Sequence, residues 1–132
     1  MSGAIHVAPI GPMWCWAAIS EDYRGDPIVL RHGLTSLPED RARFSAAMHF
    51  GNDLARVRSA LREASCPVNG GSRFDAPEHL CGRRLGPAYL HFHQSGWTFS
   101  WNGASGMLLW ERGTDFDVAL GRISAWVEGW NL

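Results

Sequence analysis

Between Gly86 and Trp110 the chain alternates. Ala88, Leu90 and Phe92 are interleaved with Tyr89, His91 and His93, and after Ser95–Gly96 the residues Trp97, Phe99 and Trp101 are interleaved with Thr98 and Ser100. A period of two predicts strands with one face buried, here aromatics inward and hydroxyls outward. Asn102–Gly103 is a strong hairpin signal, the loop runs on to Gly106, and Met107 to Trp110 closes a three-strand meander. Thr114-Asp-Phe-Asp117 then reads as a capping-box-like start with Asp near the positive helix end. The helix it opens presents Ala119, Ile123, Trp126, Val127 and Trp130 at helical spacing.

Upstream, Ile5 to Ile10 is a short apolar stretch ended by Pro9 and Gly11–Pro12, which predicts an edge strand. Met13 to Ile19 is nearly continuously apolar, as expected of a strand covered on both faces, with Trp14 and Trp16 on one and Cys15, Ala17 and Ile19 on the other. Turn and charged residues from Ser20 to Asp26 precede a second strand, Pro27 to Arg31, completing a hairpin. Gly33 to Asp40 reads as a connection. Arg41 to Phe50 fits either a third strand with Phe44 and Met48 inside or the first turns of a helix. Gly51–Asn52 reads as a break, and Asn52 or Asp53 as the cap of a helix whose apolar face is Leu54, Val57 and Leu61. Ser65 to Leu85, with Pro67, Gly70–Gly71, Pro77 and Gly82, reads as a long loop.

These elements predict an α+β fold, an antiparallel sheet of five to seven strands with two main helices on one face. The halves 11–65 and 86–132 rhyme around the loop 66–85, as a degenerate β-β-β-α repeat would; glycine breaks before helices are also common without one. The length of 132 residues suits one domain spanning the chain.

Composition narrows the function. Hydrophobic residues make up 45% and charged residues 19%, a globular balance. A net charge of -1 argues against nucleic acid or an anionic membrane surface as partner. Every basic residue is Arg, so each positive charge is a planar fork. The seven Trp exceed what core filling normally demands, and Trp serves both cores and contact surfaces. Cys15, Cys66 and Cys81 form no C-x-x-C pair, and neither a signal-peptide pattern nor a membrane-length apolar run is visible, so a cytoplasmic location with free thiols is the expectation.

Two constellations could carry chemistry. Trp14-Cys15-Trp16-Ala17-Ala18 resembles the nucleophile segment of papain-like cysteine proteases, which implies Cys15 at a helix start with a His as base. The Gln expected upstream in that family is missing from Ile10-Gly-Pro-Met13. His91 and His93, with His79 and Cys81, offer four donors for tetrahedral zinc, although not at finger spacing. The fragment Leu90 to Gly96 is similar to the zinc strand of α-carbonic anhydrases, but no His follows His93.

No catalytic set closes, so no catalytic residue, metal or cofactor is expected. The reading is a small non-enzymatic binding protein acting on a protein partner, as an inhibitor or immunity-type module. Its contacts are expected among Trp14, Trp16, Tyr89, His91, His93, Trp101 and Trp110, on whichever prove exposed. The alternative is an enzyme using Cys15, or a zinc protein using the His79/Cys81/His91/His93 cluster.

Overall fold

The alternating and continuous apolar stretches become seven strands among the described residues of a computed structural model, which cover 3–36, 38–65 and 82–132. In order they are β1 (Gly3–Ile10), β2 (Met13–Glu21), β3 (Pro27–Thr35), α1 (Glu39–Ser65), β4 (Gly82–Leu85), β5 (Ala88–Phe92), β6 (Gly96–Trp101), β7 (Met107–Arg112) and α2 (Phe116–Glu128). All neighbouring strands are antiparallel, so the α+β class holds. They form two sheets, ordered β1-β2-β3 and β4-β5-β6-β7, rather than one. The reason is α1. Its 27 residues carry the chain about 40 Å from the end of β3, so no tight turn sets β3 against a strand of the second half.

The ambiguous segment 41–50 is helical. Ala42, Ala46, Phe50, Leu54, Val57 and Leu61 form one buried stripe, whereas Phe44 and Met48, the interior residues of the strand reading, are exposed. Gly51–Asn52 is no break, because the stripe runs straight through it. Phe50, fully buried, packs on Trp130 at 4.6 Å and Trp101 at 5.4 Å between ring centroids. That burial outweighs the roughly 1 kcal/mol that a mid-helix glycine costs. A Cβ added at Gly51 would meet nothing nearer than Leu132 Cδ1 at 3.8 Å. Gly51→Ala is therefore expected to raise the urea-unfolding free energy by about 0.5–1 kcal/mol. A loss of stability instead would mean that the helix is interrupted there.

Asp53 is not a cap either. It is 4% exposed in the middle of α1, and Arg31 Nη1 donates to both its carboxylate oxygens at 2.9 Å. The sheet makes this possible through a β-bulge: Ala18 pairs with Arg31 and Ile19 with Val29, leaving Leu30 as the extra residue. One inserted residue turns the strand so that Arg31, as well as Leu30, faces α1.

One core joins both sheets and both helices, running from Ala18, Ile28 and Leu30 through α1 to the inner faces of β5–β7 and α2. Phe99 meets Trp126 edge-on at 5.3 Å, and Trp101 lies 5.7 Å from the same ring. Trp16, Trp97, Trp101, Trp126 and Trp130 are all buried, so most of the tryptophan excess fills this core. The cap of α2 is Asp115, one residue later than Thr114; its Oδ1 accepts from Val118 N–H at 3.2 Å. β4 was not foreseen, since Gly-Arg-Arg-Leu is short and carries two charges where a loop was expected. The rest of that expected loop, 66–81, lies outside the described residues.

Candidate functional site: the outer face of the four-stranded sheet

The register of the second sheet decides which side chains share its outer face. Gly82 pairs with His91, His91 with Thr98, and Thr98 with Trp110, giving one row across all four strands. The next row is Arg84, Tyr89, Ser100 and Met107. At the other side Arg112 pairs with Gly96. A second bulge, between Phe99 and Ser100, makes Leu108 the extra residue of β7, and Leu108 is buried. Met107 is thereby brought to the same face as Trp110.

Along β5 the rings form a continuous ladder. Tyr89 and His91 lie 6.2 Å apart between centroids and His91 and His93 4.4 Å apart, all tilted. His93 has left the strand, but its backbone N–H donates to Gly96 O at 2.7 Å and its Nε2 sits 3.2 Å from Thr98 Oγ1. Shaded by its aromatic neighbours, Thr98 is only 6% exposed although its face is the solvent one. Tyr89 leans across β4: a Cβ on Gly82 would lie 2.0 Å from the ring's Cε1. Glycine at 82 thus leaves room for the phenol, a diagonal cross-strand contact.

The result is a platform with a shaded centre and a wet rim. Tyr89 is 41% and Trp110 38% exposed, His91, His93 and Met107 are half-buried, and Arg84 and Arg112 are exposed. Among the described residues no carboxylate belongs to this face. Glu111 points the other way, pairing with Arg122 of α2 at 3.3 Å. Two arginines, with no acid among the described residues of the face, make it complementary to negative charge.

Of the seven expected contact residues, the structure gathers Tyr89, His91, His93 and Trp110 here. Trp101 is on the inner face of the same sheet, 4% exposed. Trp14 and Trp16 lie on the inner face of the other sheet, with Trp16 4% exposed and stacked within 3° of parallel on His49. Buried in this way, Trp16 and Trp101 offer a partner no area. Sequence reasoning missed Arg84, Met107 and Arg112. Arg84 was hidden in an expected loop, and β7 was expected to stop at Trp110.

The chemical alternatives do not close among the described residues. Cys15 is mid-strand in β2, opposite Ala8 and Leu34, with no helix start to activate it and no His pairing with it. His91 and His93 supply two donors, and no group of three His, Cys, Asp or Glu side chains suitable for a metal occurs among the described residues. His79 and Cys81, the other half of the zinc set, lie outside them. No described helix is long and apolar enough to cross a membrane. No protein-family model, curated protein or solved structure matches this chain.

Proposed function

We propose that this chain is a small non-enzymatic binding protein, an inhibitor or immunity-type module, that lays the outer face of β4–β7 on an acidic surface of a partner protein. The observation that carries this reading is the convergence of Tyr89 and Trp110, from strands separated in sequence, around a shaded Thr98 on a face whose described residues include two arginines and no acid. Tyr, Trp and Arg are the residue types that dominate contact energetics, and a ring already held by its neighbours loses little entropy on docking. Single-stranded nucleic acid also stacks on aromatic sheets, but it needs a basic groove to track its backbone, and two arginines in a chain of net charge -1 supply little of one.

Affinity capture on the immobilised chain, followed by calorimetric titration of the purified partner, tests this. Trp110→Ala is expected to weaken binding about 30-fold, near 2 kcal/mol, with unchanged circular dichroism and melting. Rising salt should weaken it further, mostly through the on-rate. Binding within threefold of wild type in both Trp110→Ala and Tyr89→Ala, or a nucleic acid as the bound species, would overturn the reading.

A further inference from the structure

The three-stranded sheet has an outer face of a different kind. The inward residues of β2 are Trp14, Trp16, Ala18 and Ser20, so the outward ones are Met13, Cys15, Ala17, Ile19 and, at the far end, Glu21. Register adds Ala4, His6, Ala8 and Ile10 from β1 and Val29, His32 and Leu34 from β3. Leu34 is 60%, Ile10 55% and Val29 46% exposed. Antiparallel sheets with one wet face normally alternate apolar with polar, as β6 does with Thr98 and Ser100. β2 does not alternate: its sequence is that of a strand covered on both sides, and the described residues cover only one.

We infer that a second copy of this chain covers that face, giving a twofold dimer packed sheet to sheet through β1–β3. Charge selects a copy as the occupant. A twofold interface sets each patch against itself, so it tolerates a neutral apolar face and opposes a charged one. Among the described residues the β1–β3 face carries a single formal charge, Glu21, where β2 enters its turn, and two histidines flanking Ala17. The β4–β7 face, with Arg84 and Arg112 and no acid among its described residues, would repel its own copy. The two faces thus divide: one for self-association, the other for a partner of opposite charge.

Size sets the strength. Strands of eight and nine residues span about 27–30 Å, and three of them cover about 14 Å across, roughly 400 Å² of projected face per copy. With the relief of the side chains counted, a pair buries on the order of 1,000 Å² in total, the lower end for a specific interface. A dissociation constant in the micromolar range is the matching expectation.

Sedimentation equilibrium of the full chain from about 1 to 100 μM tests the inference. Wild type is expected to pass from monomer to twice the chain mass over that range. Leu34→Glu is expected to raise the dissociation constant at least 30-fold, and Trp110→Ala to leave it unchanged. Because a charge on a strand can also disturb folding, the milder Val29→Thr/Leu34→Thr pair, both good strand formers, serves as a second variant and should weaken the dimer about tenfold. A wild-type monomer at 100 μM, whatever covers the face instead, overturns the inference. So does a dimer that survives both variants, or one that Trp110→Ala dissociates. Each of these outcomes is read on the chain alone, without the partner, so the dimer and the proposed docking can fail separately.

Discussion

Phe50→Ala is expected to cost about 4 kcal/mol of unfolding free energy and to lower the melting temperature by roughly 15 °C. Phe50 is the residue through which α1 grips the rest of the molecule. Its ring is fully buried, 4.6 Å from Trp130 and 5.4 Å from Trp101, so it touches the chain after α2 and the inner face of the four-stranded sheet at once. These neighbours are large, and they are themselves packed on Trp126. They cannot close in on a missing ring without leaving their own contacts, so the cavity persists and adds to the lost transfer free energy. Against a typical total stability of about 5–15 kcal/mol, such a loss leaves the fold marginal. Equilibrium urea unfolding measures it. A loss under about 1.5 kcal/mol would mean that the aromatic cluster repacks and that α1 is held elsewhere.

Arg31→Met is expected to cost about 3 kcal/mol, more than Asp53→Asn at about 1 kcal/mol. The pair is asymmetric: the Arg31 side chain is 43% exposed and that of Asp53 only 6%. Without Asp53, the guanidinium can turn to water. Without Arg31, the carboxylate stays inside, with Arg56 Nη1 at 4.0 Å as a poor substitute. The larger penalty is that of an uncompensated buried charge rather than of a lost contact. Arg31→Met/Asp53→Leu should then recover most of the Arg31→Met loss, and with Asp53→Leu measured alone the double-mutant cycle in urea separates the two causes. Equal losses in Arg31→Met and Asp53→Asn would show that the pair behaves as an exposed one.

Much of the second half was legible because its strands are wet on one side. In β6 the order Trp97, Thr98, Phe99, Ser100, Trp101 states which face is buried, and the buried partners on α2 follow at helical spacing. The first half misled where tertiary burial overrode local signals. Gly51–Asn52 breaks a helix on propensity alone, but the adjoining Phe50 fills a hole made by Trp101 and Trp130, which lie more than fifty residues away in sequence. Asp53 has the composition of a cap, and its real partner is 22 residues upstream, brought round by a bulge that no local pattern announces.

The same limit held for the candidate site. Tyr89, His91 and His93 share a face by simple alternation, and that was readable. Trp110 joins them only through the cross-strand register, and Met107 only through the extra residue at Leu108. The alternation of β6 already turns Trp101 inward, but nothing local distinguishes Trp16 from Trp110. What separates them is which side of a strand meets a helix, a property of the assembled sheets.

Docking through the β4–β7 face is tested most directly by the indole N–H signals of the seven Trp in a nitrogen-15 correlation spectrum, recorded as the captured partner is titrated in. Trp110 is expected to show the largest shift, with the buried Trp97, on the opposite face of β6, nearly still. A spectrum in which Trp14 moves and Trp110 does not would contradict docking by this face.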